Sequence, residues 1–270
     1  MTILQVPMAF IKKDFLNEVS YKLSFLLQFA GIFFSIITFY FLSKLVGTNM
    51  NSSLQPYGGD YFSFIIIGFA FTHYLQTSLQ GFSSSIRETQ LMGIMEVLLT
   101  TSTKLSTIII SSSLYKFLFT SLRIFFFIIV GTTLFSIDIS KANYAAAVVI
   151  LLFTITSFSC IGIIAASFIV VFKKGHPIAW LVTSLSWLFG GVYYPVSILP
   201  KWLQNISYIL PITYSLKGIR LALLQGYSFY QLQKYIYALM IFTIILLPAS
   251  LYIFRSAVKK AMVDGSLTQY

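Results

Sequence analysis

The protein has 270 residues, of which 57% are hydrophobic and 9% are charged, and its mean hydropathy is +0.86. A water-soluble domain of this composition would expose a largely apolar surface, so the sequence is that of an integral membrane protein. Eighteen basic residues against seven acidic ones give a net charge of +11. In a membrane protein this excess is typical of lysines near lipid headgroups and in cytoplasmic loops, and it does not indicate nucleic-acid binding.

The N-terminal part of the chain predicts an interfacial arm followed by a first span. In residues 3–22 apolar and charged side chains are interspersed, which is typical of a helix lying in the membrane interface, although an ordinary positively charged flank is the alternative. Residues 23–46 are long and apolar enough to cross the membrane. Gln28 and Ser35 lie near helical spacing within this span, so we expect that face to pack on protein or to border a translocation path.

A second span is predicted over residues 61–80, and its later half carries polar side chains on one face. These are His73, Gln76 and Thr77. Polar groups are costly against lipid, so the face should look into the protein or into a water-filled path. For His73, an interhelical hydrogen bond is the simpler interpretation, and a proton relay or a substrate contact is the alternative.

Residues 86–101 predict a separate amphipathic helix on one side of the membrane. Ser85 followed three residues later by Glu88 is typical of a capping box at a helix start. The apolar positions repeat with helical spacing, while charged residues occupy other faces; the apolar residues are Leu91, Ile94, Met95, Leu98 and Leu99. Such a helix offers a surface to a partner outside the membrane.

The remaining apolar runs predict four more spans, over residues 108–137, 144–172, 178–194 and 233–254. Arg123 falls within the first of them, where snorkelling, an internal hydrogen bond and substrate binding all remain open. Residues 195–225 are too proline-broken for one helix and too apolar for a free loop, so two short interfacial or re-entrant helices are expected. The candidate outer-gate residues in and before this segment are Gly190, Gly191, Tyr194, Pro195, Pro200 and Pro211.

The basic residues indicate the orientation of these six spans. With both termini in the cytoplasm, about ten Lys and Arg residues lie inside and about six outside, which is the favoured distribution. The helix at residues 86–101 is then cytoplasmic.

The sequence lacks the motifs of an enzyme that could power transport by itself. It has no G-x-x-x-x-G-K-[ST] phosphate loop, no H-E-x-x-H and no pair of intramembrane carboxylates. With only His73 and Arg123 as ionisable candidates inside spans, a transporter driven by protons or sodium is disfavoured. No metal site or cofactor is expected in this chain, and any ATP would be hydrolysed by a partner.

At two places the chain resembles the permease subunits of type-2 ATP-binding-cassette (ABC) exporters. One is R-E-x-x-x-M-G-x-M-E-x-L-L-T-T, from Arg87 to Thr101, and the other is the block from Pro195 to Arg220. The order of spans, arm and short cytoplasmic helix is also similar, so the resemblance covers essentially the whole chain. The block after Pro195 is more similar to the drug and small-amphiphile branch than to the polysaccharide branch.

The resemblance implies a permease that dimerises and binds two copies of a separate ATPase, which holds ATP and Mg. It implies that residues 86–101 are the coupling helix, whose contact residues would be Arg87, Glu88, Met92, Gly93, Met95, Glu96, Leu98 and Leu99. Spans one, two and five would border the translocation path, which adds Trp187 to the polar residues of the first two spans. The protein would be a multi-pass protein of a prokaryotic plasma membrane, with both termini in the cytoplasm. Two such classes remain open: an ATPase-independent channel or scramblase-like pore, and a membrane-embedded enzyme acting on lipids.

Overall fold

The computed structural model describes residues 5–46, 51–91, 105–172 and 177–263, and all of its regular elements are helical. An arm, α1 (Gln5–Ser20), is followed by α2 (Lys22–Val46), the short α3 (Asn51–Leu54) and α4 (Tyr61–Leu91). The next described residue after Leu91 is Leu105, where α5 (Leu105–Phe135) begins. It is followed by α6 (Tyr144–Phe172) and α7 (Pro177–Phe189). The chain continues with α8 (Lys201–Ile209), α9 (Pro211–Gln225) and α10 (Phe229–Val263). The predicted all-α membrane class is confirmed.

Five of these helices, α2, α4, α5, α6 and α10, are long and apolar enough to cross a membrane. The fifth predicted span, residues 178–194, differs: α7 has 13 residues, about 20 Å, which is shorter than the hydrocarbon core of about 30 Å. It ends at Phe189 because the chain turns at Gly190 and Gly191, and Gly191 has a left-handed φ of +79°. Pro195 and the 3-10 turn Val196–Ile198 then lead into α8 and α9.

The second predicted span also differs from the structure, because α4 continues without interruption from Tyr61 to Leu91. The capping box predicted at Ser85 is wrong: Ser85 is inside the helix, and its Oγ donates to the Gly81 carbonyl at 2.8 Å. Arg87 and Glu88 therefore belong to the end of α4 and do not begin a separate helix. The rest of the predicted coupling helix, residues 92–101, lies outside the described residues.

The centre of the fold is α4, packed against α5 and α6. In the most apolar 18-residue stretch of α4, 72% of the residues are buried, compared with 17% in α2. Helix α2 therefore lies at the periphery of the chain. Polar side chains join α4 to α5: the Tyr74 hydroxyl donates to Ser121 Oγ at 2.7 Å, and the Thr77 and Thr120 hydroxyls are 2.7 Å apart. On the other side, α6 also contacts α9 and α10.

Gly162 allows α6 to approach the backbone of α4 closely. A Cβ atom at this position would overlap the carbonyl oxygen of Ser78 and would lie 3.1 Å from that of Leu79. Small residues at such crossings let membrane helices pack by van der Waals contact, which replaces the hydrophobic effect inside lipid.

Gly162→Ala is expected to destabilise the protein by roughly 2 kcal/mol, because the methyl group meets rigid backbone and forces α4 and α6 apart. Thermal unfolding of the purified chain in detergent measures the change. Gly31→Ala is the matched control, since a Cβ at Gly31 in α2 meets no atom within 4 Å. Equal unfolding temperatures for the two variants would contradict the close crossing.

Candidate functional site

Arg220 of α9 connects the segment that follows α7 to the membrane helices. Its side chain is 1% exposed, and all of its hydrogen bonds go to backbone carbonyls. Nε donates to Phe64 of α4 at 2.9 Å, while the two terminal nitrogens donate to Gly191 at 2.6 Å and to Val192 at 2.8 Å. The guanidinium carbon also lies 3.4 Å from the centroid of the Phe64 ring. The carbonyls beyond the end of α7 and the aromatic face together compensate the buried charge.

The surroundings of Arg220 leave room for its guanidinium and for little else. A Cβ atom at Gly68 would overlap the guanidinium, and one at Gly190 would overlap Ile212 of α9. The charge of Arg220 also reaches Tyr57. Burial raises the pKa of the Tyr57 hydroxyl, and the positive charge of Arg220 opposes that shift. The predicted gate residues Gly190 and Gly191 are thus part of a tightly packed junction.

The other predicted outer-gate residues lie around this junction. Tyr194 donates from its hydroxyl to the Leu188 carbonyl, Pro195 is buried, Pro200 precedes α8, and Pro211 begins α9. The helices expected in residues 195–225 are present as α8 and α9. Sequence reasoning missed the role of Arg220, because it counted this residue only among the basic residues on the outer side of the membrane. The available signal was a lone arginine between two apolar residues, Ile219 and Leu221.

An aromatic cluster forms where α2, α4, α5 and α7 meet. Phe69 of α4 is at its centre, with ring-centroid distances of 4.7 Å to Phe39, 5.8 Å to Phe127 and 5.8 Å to Trp187. Trp187 in turn lies 5.3 Å from Tyr193. Most of these rings are only half-buried within one chain. The structure therefore brings the predicted path residue Trp187 next to α4.

His73 belongs to the same cluster. Its ring lies 5.3 Å from that of Phe69 and 5.6 Å from that of Phe127. The expected interhelical hydrogen bond is not found: Nε2 is buried and has no hydrogen-bond partner within the described part of the chain.

The other predicted path residues are spread over α2 and α4. Gln28 donates from Nε2 to Glu18 Oε1 at 2.5 Å, and Ser35 donates to the Gly31 carbonyl at 2.8 Å. Gln76 is half-buried, and Thr77 contacts Thr120 as described above. Gln28 and Ser35 are therefore not part of the aromatic cluster.

An apolar cavity of about 140 Å³ lies elsewhere, between α4, α5 and α6. Ile66, Ala70, Ile137 and Leu151 are among its lining residues, and no predicted path residue is among them.

The predicted coupling residues are only partly described. Arg87 is half-buried at the end of α4, and the backbone of Glu88 belongs to the same helix. The remaining ones lie outside the described residues: Met92, Gly93, Met95, Glu96, Leu98 and Leu99. Within the described ranges, no group of three or more His, Cys, Asp or Glu side chains could hold a metal ion.

The comparisons with known proteins agree with this architecture. A search of curated proteins found no match. The family ABC-2 type transporter matches residues 8–224, which is well over half of the chain and includes α1 to α9. The chain is a multi-pass membrane protein and a transmembrane permease component of an ABC transporter, and it belongs to the ABC-2 type transporter family.

Proposed function

We propose that the protein is the permease of an ATP-driven exporter for an amphiphilic cargo, either drug-like or linked to lipid or glycan. Two permease copies form a homodimer and bind two ATPase subunits, which hold ATP and Mg. The complex lies in the plasma membrane of a prokaryote, with both termini of the permease in the cytoplasm. Permeases of this family generally pair with ATPase subunits, which supports the partner but not the stoichiometry.

The observation that carries this proposal is the continuity of α4. At 31 residues the helix is about 46 Å long, which exceeds the hydrocarbon core of about 30 Å. It joins the aromatic cluster at Phe69 and His73 to Arg87 near its other end. A rigid helix of this length transmits a displacement at its cytoplasmic end to the cluster.

The half-buried aromatic cluster supports an amphiphilic cargo. Its rings offer apolar and π surface to a ligand, and a second permease copy facing α2 and α7 would enclose the exposed part of that surface. The junction at Arg220 would close the outer side, because it ties α9 to the outer end of α4.

Removing Arg220 is expected to disrupt this outer junction. Arg220→Met leaves the carbonyls of Phe64, Gly191 and Val192 without their donor, which should cost at least about 3 kcal/mol of folding free energy. Thermal unfolding in detergent measures this loss of folding free energy. Arg255→Met, which removes an arginine at an exposed position, is the control. Gly68→Ala, which displaces the guanidinium, should lower stability as well. Wild-type stability of both Arg220→Met and Gly68→Ala would contradict the junction.

The partner is tested by co-purification in mild detergent. The tagged permease should retain an ATPase subunit at about one to one, and Glu96→Arg should reduce the recovered ATPase by about tenfold or more through charge repulsion. Asp138→Arg makes the same charge change in an exposed loop between α5 and α6 and should leave the recovery unchanged. If no ATPase is recovered with the wild-type protein, the exporter proposal fails and an ATPase-independent pore replaces it.

The role of the aromatic cluster is tested by ATP-dependent uptake of a fluorescent dodecanoate into inverted vesicles containing the complex. Trp187→Ala should lower the uptake rate about tenfold, because the ring that links Phe69 and Tyr193 is lost. Trp180→Ala removes a tryptophan two turns earlier in α7 that is 70% exposed, and uptake should stay within about twofold of wild type. Equal losses in the two variants would place the cargo elsewhere.

A further inference from the structure

Arg123 and His73 lie near the middle of the apolar segments of their helices. Arg123 is ten residues from one end and twelve from the other of the span Ser113–Phe135, and His73 is twelve from either end of Tyr61–Ser85. A charged side chain at the centre of a span costs about 2.5 to 3.5 kcal/mol on insertion scales. Both residues are too far from the ends of their spans to anchor a helix at the membrane surface. The charge of Arg123 therefore needs a compensating group.

The two side chains are at the same level of the antiparallel pair formed by α4 and α5. Tyr74 bonds Ser121, and Thr77 bonds Thr120, each at 2.7 Å. Phe69 contacts Phe127 with ring centroids 5.8 Å apart. These three contacts set the register of the helices, and in that register His73 is opposite Arg123.

Each of the two side chains has one buried nitrogen that no described residue satisfies. Nε of Arg123 and Nε2 of His73 are buried without a hydrogen-bond partner. Among the described residues the one ion pair is between Lys13 and Asp14, so none of the carboxylates described lies within 4 Å of Arg123. Glu18, the acidic residue whose charge acts on Arg123, accepts a hydrogen bond from Gln28 at 2.5 Å.

The rest of the environment is aromatic. The guanidinium carbon of Arg123 lies 4.6 Å from the centroid of Phe119, which also contacts Phe25 and Phe29. A planar guanidinium held on an aromatic face keeps its edge available for a bidentate contact with a carboxylate or a phosphate. The neighbouring rings would accept an apolar chain.

We propose that Arg123, assisted by His73, binds the anionic headgroup of the cargo between α4 and α5, and that the cargo is a phosphate- or carboxylate-bearing amphiphile. Arg123 supplies the charge and the paired donors, and His73 supplies one further donor. The apolar part of the cargo lies against the aromatic cluster. This inference rests on the proposed function and names its substrate class.

The test measures binding to the full chain alone, in nanodiscs of phosphatidylcholine without any ATPase. Radiolabelled dodecyl phosphate should bind saturably, and the zwitterion dodecylphosphocholine should bind at least about tenfold more weakly. Arg123→Gln should weaken the binding of dodecyl phosphate about tenfold or more, and His73→Gln about threefold. Arg123→Lys keeps the charge but not the paired donors, so it should fall between wild type and Arg123→Gln.

Lys44→Gln is the matched control, because it removes a positive charge at the exposed end of α2, where Lys44 lies over Tyr40. It should leave binding unchanged. The proposal is overturned if Arg123→Gln binds dodecyl phosphate as tightly as the wild type does. It is also overturned if Arg123→Gln weakens the binding of dodecyl phosphate and of dodecylphosphocholine by the same factor. Should Arg123→Gln fail to fold, unchanged affinity in both His73→Gln and Arg123→Lys overturns it. The binding assay contains no ATPase, so its result does not depend on the co-purification assay. Failure of the exporter proposal and failure of this inference can therefore be told apart.

Discussion

The buried guanidinium of Arg220 holds α4, α9 and the turn after α7 together. One side chain bonds α4 through Phe64 and the turn after α7 through Gly191 and Val192, so three segments far apart in the chain meet at a single charge. A hydrophobic side chain of similar volume would leave these carbonyls unpaired in a dry environment. Because the compensating groups are backbone carbonyls, the charge is stabilised without a carboxylate, and the junction depends on the geometry of the turn.

This junction determines how α4 is positioned, and α4 in turn organises the rest. Its N-terminal end is held by Arg220 at Phe64, its middle carries Phe69 and His73, and its C-terminal end reaches Leu91 without a break. The close crossing at Gly162 and the hydroxyl pairs with α5 keep the middle of the helix in register. A displacement at the Leu91 end of α4 would therefore reach the aromatic cluster and the Arg220 junction together.

The polar groups of the membrane helices differ in how completely they are satisfied. Thr77 and Tyr74 have partners on α5, as expected for side chains that join helices in lipid. His73 and Arg123 each keep a buried nitrogen without a partner among the described residues, although both lie in the middle of apolar helical segments, where an unmet polar group is costly. This contrast separates groups that join helices from groups left without a described partner, and periodicity alone could not reveal it, since all four residues are polar positions in apolar helices.

The sequence by itself determined the membrane class, three of the five long spans (α2, α5 and α6) nearly to their ends, and the two short helices α8 and α9, because apolar runs about 20 residues long and proline breaks are local signals. It also carried the resemblance that the family match bears out. Only the tertiary structure decided that α4 runs on through Ser85, that α7 is too short to span, and that Arg220 is buried. Those outcomes depend on contacts between residues distant in the chain, which set the cost of a helix end or a buried charge.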